Sequence, residues 1–118
     1  MKQEFKVPYK PDSVNSHWKK TKMGGMYLSK EGREFRKNVQ NYLSISRFRK
    51  VTGKLKVYLE LHFKDNRRRD IDNYCKGIFD SLNNFLWDDD EQIYELHTVK
   101  KLGTGKDFFV IVVETLEE

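Results

Sequence analysis

One cysteine in 118 residues, Cys75, excludes an internal disulfide. The paired cysteines and histidines that a structural zinc site needs are missing as well. No apolar run approaches the roughly 20 residues that a membrane-spanning helix requires. The N-terminal stretch MKQEFKVPYKP has no apolar segment of the secretory kind. There is no internal repeat and no low-complexity tract. These absences lead to the expectation of a cytoplasmic, reducing setting without a membrane, and of one domain covering residues 1–118.

Charge and aromatics are abundant instead. Charged residues make up 35% and aromatics 14% of the chain. The aromatics and clear apolar patterning argue for a folded core despite the charge. The net charge of +5 is unevenly spread. Residues 1–69 hold 19 Lys/Arg against 6 Asp/Glu, whereas residues 70–118 hold 4 against 12. A basic half favours a polyanionic partner, because neutralising phosphates releases counterions. The acidic half would repel that partner unless a cation cancels it, which carboxylates holding a divalent metal achieve.

The pattern predicts an α+β domain in the order β-α-β-α-β-β, with a mixed sheet and helices packed on it. A short strand over 3–7 ends at Pro8 and Pro11, and PDSVNSHWKKTKMGGMY reads as a long loop. Ser29 caps a helix over 30–46, with Phe35, Val39, Tyr42 and Leu43 on one stripe. Residues 54–64 alternate as a half-buried strand. A second helix over 71–86 carries Ile71, Tyr74, Cys75, Ile78, Phe79, Leu82, Phe85 and Leu86 at helical spacing. A strand over 92–101 follows, and FFVIVVE at 108–114 suits a strand buried on both faces.

The chemistry is concentrated in RRRDIDNYCK, residues 67–76. Asp70 falls at a helix N-cap and Asp72 in the first turn. Capping, the helix dipole and an i,i+4 pair with Lys76 would account for both. Asp88, Asp89, Asp90 and Glu91 place four carboxylates in a row after the helix. An exposed acidic turn is one reading of them; a Mg²⁺ site is the other. The spacing is not that of an EF-hand. A helix over 71–86 separates Asp70 and Asp90 by about 20 Å, so a shared metal requires the acidic segment to fold back. Such a site suits phosphodiester hydrolysis, with Lys76 stabilising charge on phosphorus and Arg67, Arg68 and Arg69 holding flanking phosphates.

The segments RRRDIDNYCKGIFDSL and FLWDDDEQIYEL resemble the RusA family of crossover junction endodeoxyribonucleases. The matching residues are Arg69, Asp70, Asp72, Asn73, Lys76, Asp80, Trp87, Asp89, Asp90 and Gln92, with Asn15 and Tyr27–Ser29 in the N-terminal part. The resemblance implies a homodimer that binds four-way DNA junctions and cuts two strands symmetrically, using Mg²⁺, for which Mn²⁺ can substitute. It carries catalysis onto Asp70, Asp72, Asp90 and Lys76, with Asp89 joining the three acids around the metal, and it implies the fold-back. Asp88, an additional aspartate, departs from the family pattern.

The remaining expectations concern DNA. Asn15, Trp18, Lys19 and Lys20 lie in the basic loop, where Trp18 and His17 could stack on exposed bases. Arg33, Arg36 and Lys37 form a basic helix stripe facing either solvent or the DNA backbone. His62 and His97 read as surface or hydrogen-bond-satisfied residues rather than ligands, and Cys75 as core. Asp80 reads as a structural hydrogen-bonding residue or as support for Lys76. A nuclease for flaps and forks, or a silent junction-binding protein, are the competing functions.

Overall fold

A computed structural model describes residues 1–14 and 18–116. The elements are β1 (Lys2–Val7), β2 (Trp18–Lys20), β3 (Met26–Leu28), α1 (Lys30–Ile45), β4 (Leu55–His62), α2 (Ile71–Leu82), a 3-10 turn (Asp90–Gln92), β5 (Ile93–Lys101) and β6 (Phe108–Thr115). The main sheet has four strands in the order β1-β6-β4-β5. β6 is antiparallel to both β1 and β4, and β4 is parallel to β5. A parallel neighbour demands a crossover connection, which contains α2. The expected α+β architecture and element order are present.

The core lies between one sheet face and the two helices. Alternation along β4 sends Leu55, Val57, Leu59 and Leu61 inward, and β6 adds Phe109, Ile111 and Val113. Phe35, Val39 and Leu43 of α1 meet Ile78, Phe79 and Leu82 of α2 in the same cluster. Ser29 is the N-cap of α1, and its hydroxyl accepts from the Gly32 amide at 2.9 Å.

Three features differ from the sequence pattern. The region expected as a long loop contains a small hairpin, β2 paired with β3, turning through Gly24 at φ +86°. In β6, Phe108, Val110 and Val112 are only half-buried, because both helices lie on the other face.

The third difference is that α2 stops at Leu82. Asn83 turns extended and Asn84 takes a left-handed φ of 61°. The Trp87 indole donates to Asn83 Oδ1 at 2.6 Å, and the Asn84 amide donates to the Asp88 carbonyl at 3.1 Å. Leu86 and Trp87 are fully buried, so they fill the core from this turn rather than from a helix. The helical spacing of Phe85 and Leu86 therefore extended the predicted helix too far.

Candidate active site

The turn after α2 reverses the chain and returns the acidic segment to the helix. The Lys76 ammonium lies 3.0 Å from Asp90 Oδ2, across 14 positions of sequence. It also lies 2.9 Å from Asp80 Oδ1, one turn further along α2. Lys76 thus sits between two carboxylates rather than pairing with Asp72 as helical spacing suggested. Asp80 first, and Asp90 after it, hold the lysine pKa above its ordinary value despite partial burial. The ammonium is accordingly firmly charged at neutral pH.

Asp70 occupies the N-cap position of α2, but its side chain makes no capping hydrogen bond. The capping role that sequence position offers is unused, and the carboxylate is exposed. Its placement comes from the residue before it: Lys100 of β5 donates to the Arg69 carbonyl at 2.6 Å. Asp72 and Lys76 line one open, largely apolar hollow against β5.

The acidic turn is held by Gln92. Its side-chain carbonyl accepts from the Asp88 and Asp89 amides at 2.8 and 3.0 Å, and its amide donates to the Gly53 carbonyl at 3.0 Å. Asp89 caps the 3-10 turn, accepting from the Glu91 amide at 3.1 Å. Asp88 pairs with Lys50 at 2.6 Å. Of the four consecutive carboxylates, Asp90 is the one joined to Lys76. Among the described residues, no three His, Cys, Asp or Glu side chains converge closely enough to hold a metal ion. The four-carboxylate cluster expected around one cation is therefore not assembled, since Asp89 is engaged in capping and Asp90 by Lys76.

The family model described as Endodeoxyribonuclease RusA matches residues 8–113. The chain belongs to the RusA family. It is 35% identical over 101 residues to the crossover junction endodeoxyribonuclease rusA of Enterobacteria phage HK97, covering 82% of this chain and 81% of the relative. The enzymes of that name from Enterobacteria phage 82 and Escherichia coli K12 are 32% and 31% identical over 96 residues. Each of these two alignments covers 80% of this chain and 78% of the relative.

In this RusA-family chain the basic residues divide into exposed ones and ones held inward. Arg67 and Arg68 are exposed beside α2, as are Lys19 and Lys20 on the hairpin and Arg33 and Lys37 on α1. Arg69 differs from the phosphate-binding role expected of it, being only 8% exposed. Its guanidinium pairs with Asp65 at 2.7 Å and lies over the Phe63 ring, 4.2 Å from its centroid. It braces the loop that leads into Asp70. Arg36 donates to the Asp80 carbonyl at 3.2 Å, so it joins α1 to α2 rather than projecting outward. The Trp18 indole donates to Asp80 Oδ2 at 3.2 Å, tying the hairpin to the carboxylate that holds Lys76. Asp80 thus serves both roles expected of it. Asn15 and His17 lie outside the described residues.

Cys75 is buried with its thiol pKa raised by desolvation, and it contacts Thr98 Oγ1 at 3.3 Å, as a core residue should. His62 contacts Glu60, and His97 stacks on Tyr58. Sequence reasoning missed Asp65, whose only signal was its i,i+4 spacing from Arg69, and the three-way role of Gln92, which had no signal beyond the family pattern.

Proposed function

We propose that this chain is a Mg²⁺-dependent endonuclease that resolves four-way DNA junctions as a homodimer, cutting two strands symmetrically. The observation that carries the reading is the return of Asp90 onto Lys76, midway along α2. It joins Asp90 to a lysine that shares a hollow with Asp72, in a RusA-family chain whose relatives bear the name crossover junction endodeoxyribonuclease.

Asp70, Asp72 and Asp90 are the carboxylates assigned to Mg²⁺, while Asp89 caps the 3-10 turn that carries Asp90. An all-oxygen donor set fits this hard cation. Mg²⁺ is commonly held by one or two carboxylates and completed by water and substrate phosphate, so a closed protein cage is not required. When bound, Mg²⁺ supplies Lewis-acid polarisation and an activated water. Lys76 offers a fixed positive charge to the phosphoryl oxygens as negative charge develops. Asp80 keeps that ammonium in place when its contact with Asp90 is exchanged for a phosphate. Arg67, Arg68, Lys19, Lys20, Arg33 and Lys37 hold DNA phosphates, and Asn15 and Trp18 are assigned to DNA binding with them. Two-fold symmetry gives a junction two equal sites.

A labelled synthetic four-way junction, a flap and a linear duplex of matched sequence test the proposal. The expected result is paired cuts in the junction that require Mg²⁺, and their loss in Asp90→Asn with junction binding retained. Preferential cutting of the flap would assign the enzyme to other branched DNA. Equal cutting of linear duplex would overturn structure selectivity, and tight junction binding without cutting would leave only a binding protein.

A further inference from the structure

The two edges of the sheet are built differently. β1 has six residues, carries Lys2 and Lys6, and runs into Pro8. Lysine and proline along an edge discourage pairing with another chain. β5, at the opposite edge, has nine residues with neither proline nor glycine. Its Tyr94 and Leu96 are 64% and 48% exposed. Leu96 and Thr98 also line, with Cys75 and Phe79, an open hollow of about 390 Å³ that contains Asp72 and Lys76. β5 carries lysines too, Lys100 and Lys101, but they sit at its C-terminal end, and a long, partly apolar edge without proline in the described chain is a template for a further strand.

We propose that this edge is the subunit interface: β5 pairs antiparallel with β5 of a second copy, on a two-fold axis at Thr98. The assignment rests on the homodimer proposed above. Charge selects the partner and the register. Glu95 and Lys101 lie opposite Lys56 and His62 of β4, on the sheet face away from the helices. They are equally spaced on either side of Thr98. A two-fold axis normal to the sheet keeps each residue on its own face, so it sets Glu95 against Lys101 of the partner subunit, twice. Glu95 has no ion pair among the described residues, and Lys101 is half-exposed with its ammonium 3.5 Å from Glu60. Opposite charges facing each other across strands stabilise pairing, and like charges oppose it. The pairing would join two four-stranded sheets into one and close the outer side of each hollow beside Asp72 and Lys76.

The rival surface is the uncovered sheet face at Phe108, Val110 and Val112. Phe108 is already stacked by His62 and overlain by the Lys6 ammonium, 4.7 Å from its centroid.

Sedimentation equilibrium of the full chain without DNA decides the matter, with thermal unfolding run on each variant as a check of folding. Wild type is expected to dimerise. Glu95→Lys and Lys101→Glu are each expected to weaken the dimer at least about tenfold, and the double exchange to restore it. Each single exchange also meets a like charge within its own subunit, Lys56 for Glu95→Lys and Glu60 for Lys101→Glu, so restoration by the double exchange is the deciding result. A wild type that is monomeric at every concentration overturns the homodimer reading and this interface with it. A dimer indifferent to both charge reversals but broken by Val110→Glu leaves the homodimer standing and overturns the β5 edge.

Discussion

Asp70 and Asp72 illustrate how much one residue's role depends on contacts that spacing does not reveal. Helical position offered each a local purpose, a cap for Asp70 and an ion pair with Lys76 for Asp72. The folded chain uses neither: Asp70 makes no capping bond, and Lys76 turns to Asp80 and Asp90. A carboxylate left without a stabilising task at a helix start is one whose replacement leaves the fold intact. Asp70→Asn is therefore expected to change unfolding free energy by no more than about 0.5 kcal/mol, as for other surface substitutions outside special sites. Junction cleavage is expected to disappear in the same variant. Chemical denaturation beside a cleavage assay checks both, and a large stability loss would return Asp70 to a structural role.

At the scale of elements, the strands of the main sheet and the helix starts were legible because they rest on local rules, whereas the β2–β3 hairpin was read as a loop. Alternation along β4 and the Ser29 cap of α1 each appear where the sequence placed them. The end of α2 was not legible, since Phe85 and Leu86 keep helical spacing while lying in the turn that follows the helix. Nor was the reason for Gly77. A Cβ there would stand 2.1 Å from the Asp12 carbonyl, so the glycine admits the N-terminal segment against α2. Gly77→Ala is expected to destabilise the protein by about 1–3 kcal/mol, as overpacking does, even though alanine favours helices. A midpoint shift in urea with an unchanged slope measures it.

The loop before α2 supplies an element whose stability follows pH. The Arg69 guanidinium, followed by the Arg67 amide, lowers the Asp65 pKa to about 2. A carboxylate depressed in the folded state stabilises the fold above its ordinary pKa of 3.8. That stabilisation is lost as pH falls through this value toward about 2. Asp65→Asn removes the titrating group, so wild type is expected to be the more stable protein above pH 4 and the difference to vanish near pH 2. Thermal melts across this range test it; a gap that persists at the acid end would mean that Asp65 acts through its shape rather than its charge.

For the whole molecule, charge asymmetry in the sequence already separated a basic half from an acidic one, and the fold brings their boundary to the head of α2. What the sequence did not disclose is which cations remain exposed there. In RRRD the three arginines look equivalent, yet Arg67 and Arg68 are exposed whereas Arg69 is buried against Asp65 and Phe63. Counterion release makes the log of DNA affinity fall linearly with the log of salt, with a slope set by the phosphates neutralised. Arg68→Ala is expected to weaken junction binding and to reduce that slope by about 1, with no loss of stability. Arg69→Ala strips Asp65 of its partner and Phe63 of its cover. Its effect is expected on unfolding, with the salt slope kept at the wild-type value while the protein remains folded. Binding titrations over a series of salt concentrations, paired with melts, distinguish the two, and a flattened slope in a folded Arg69→Ala would show that this guanidinium leaves Asp65 for the DNA.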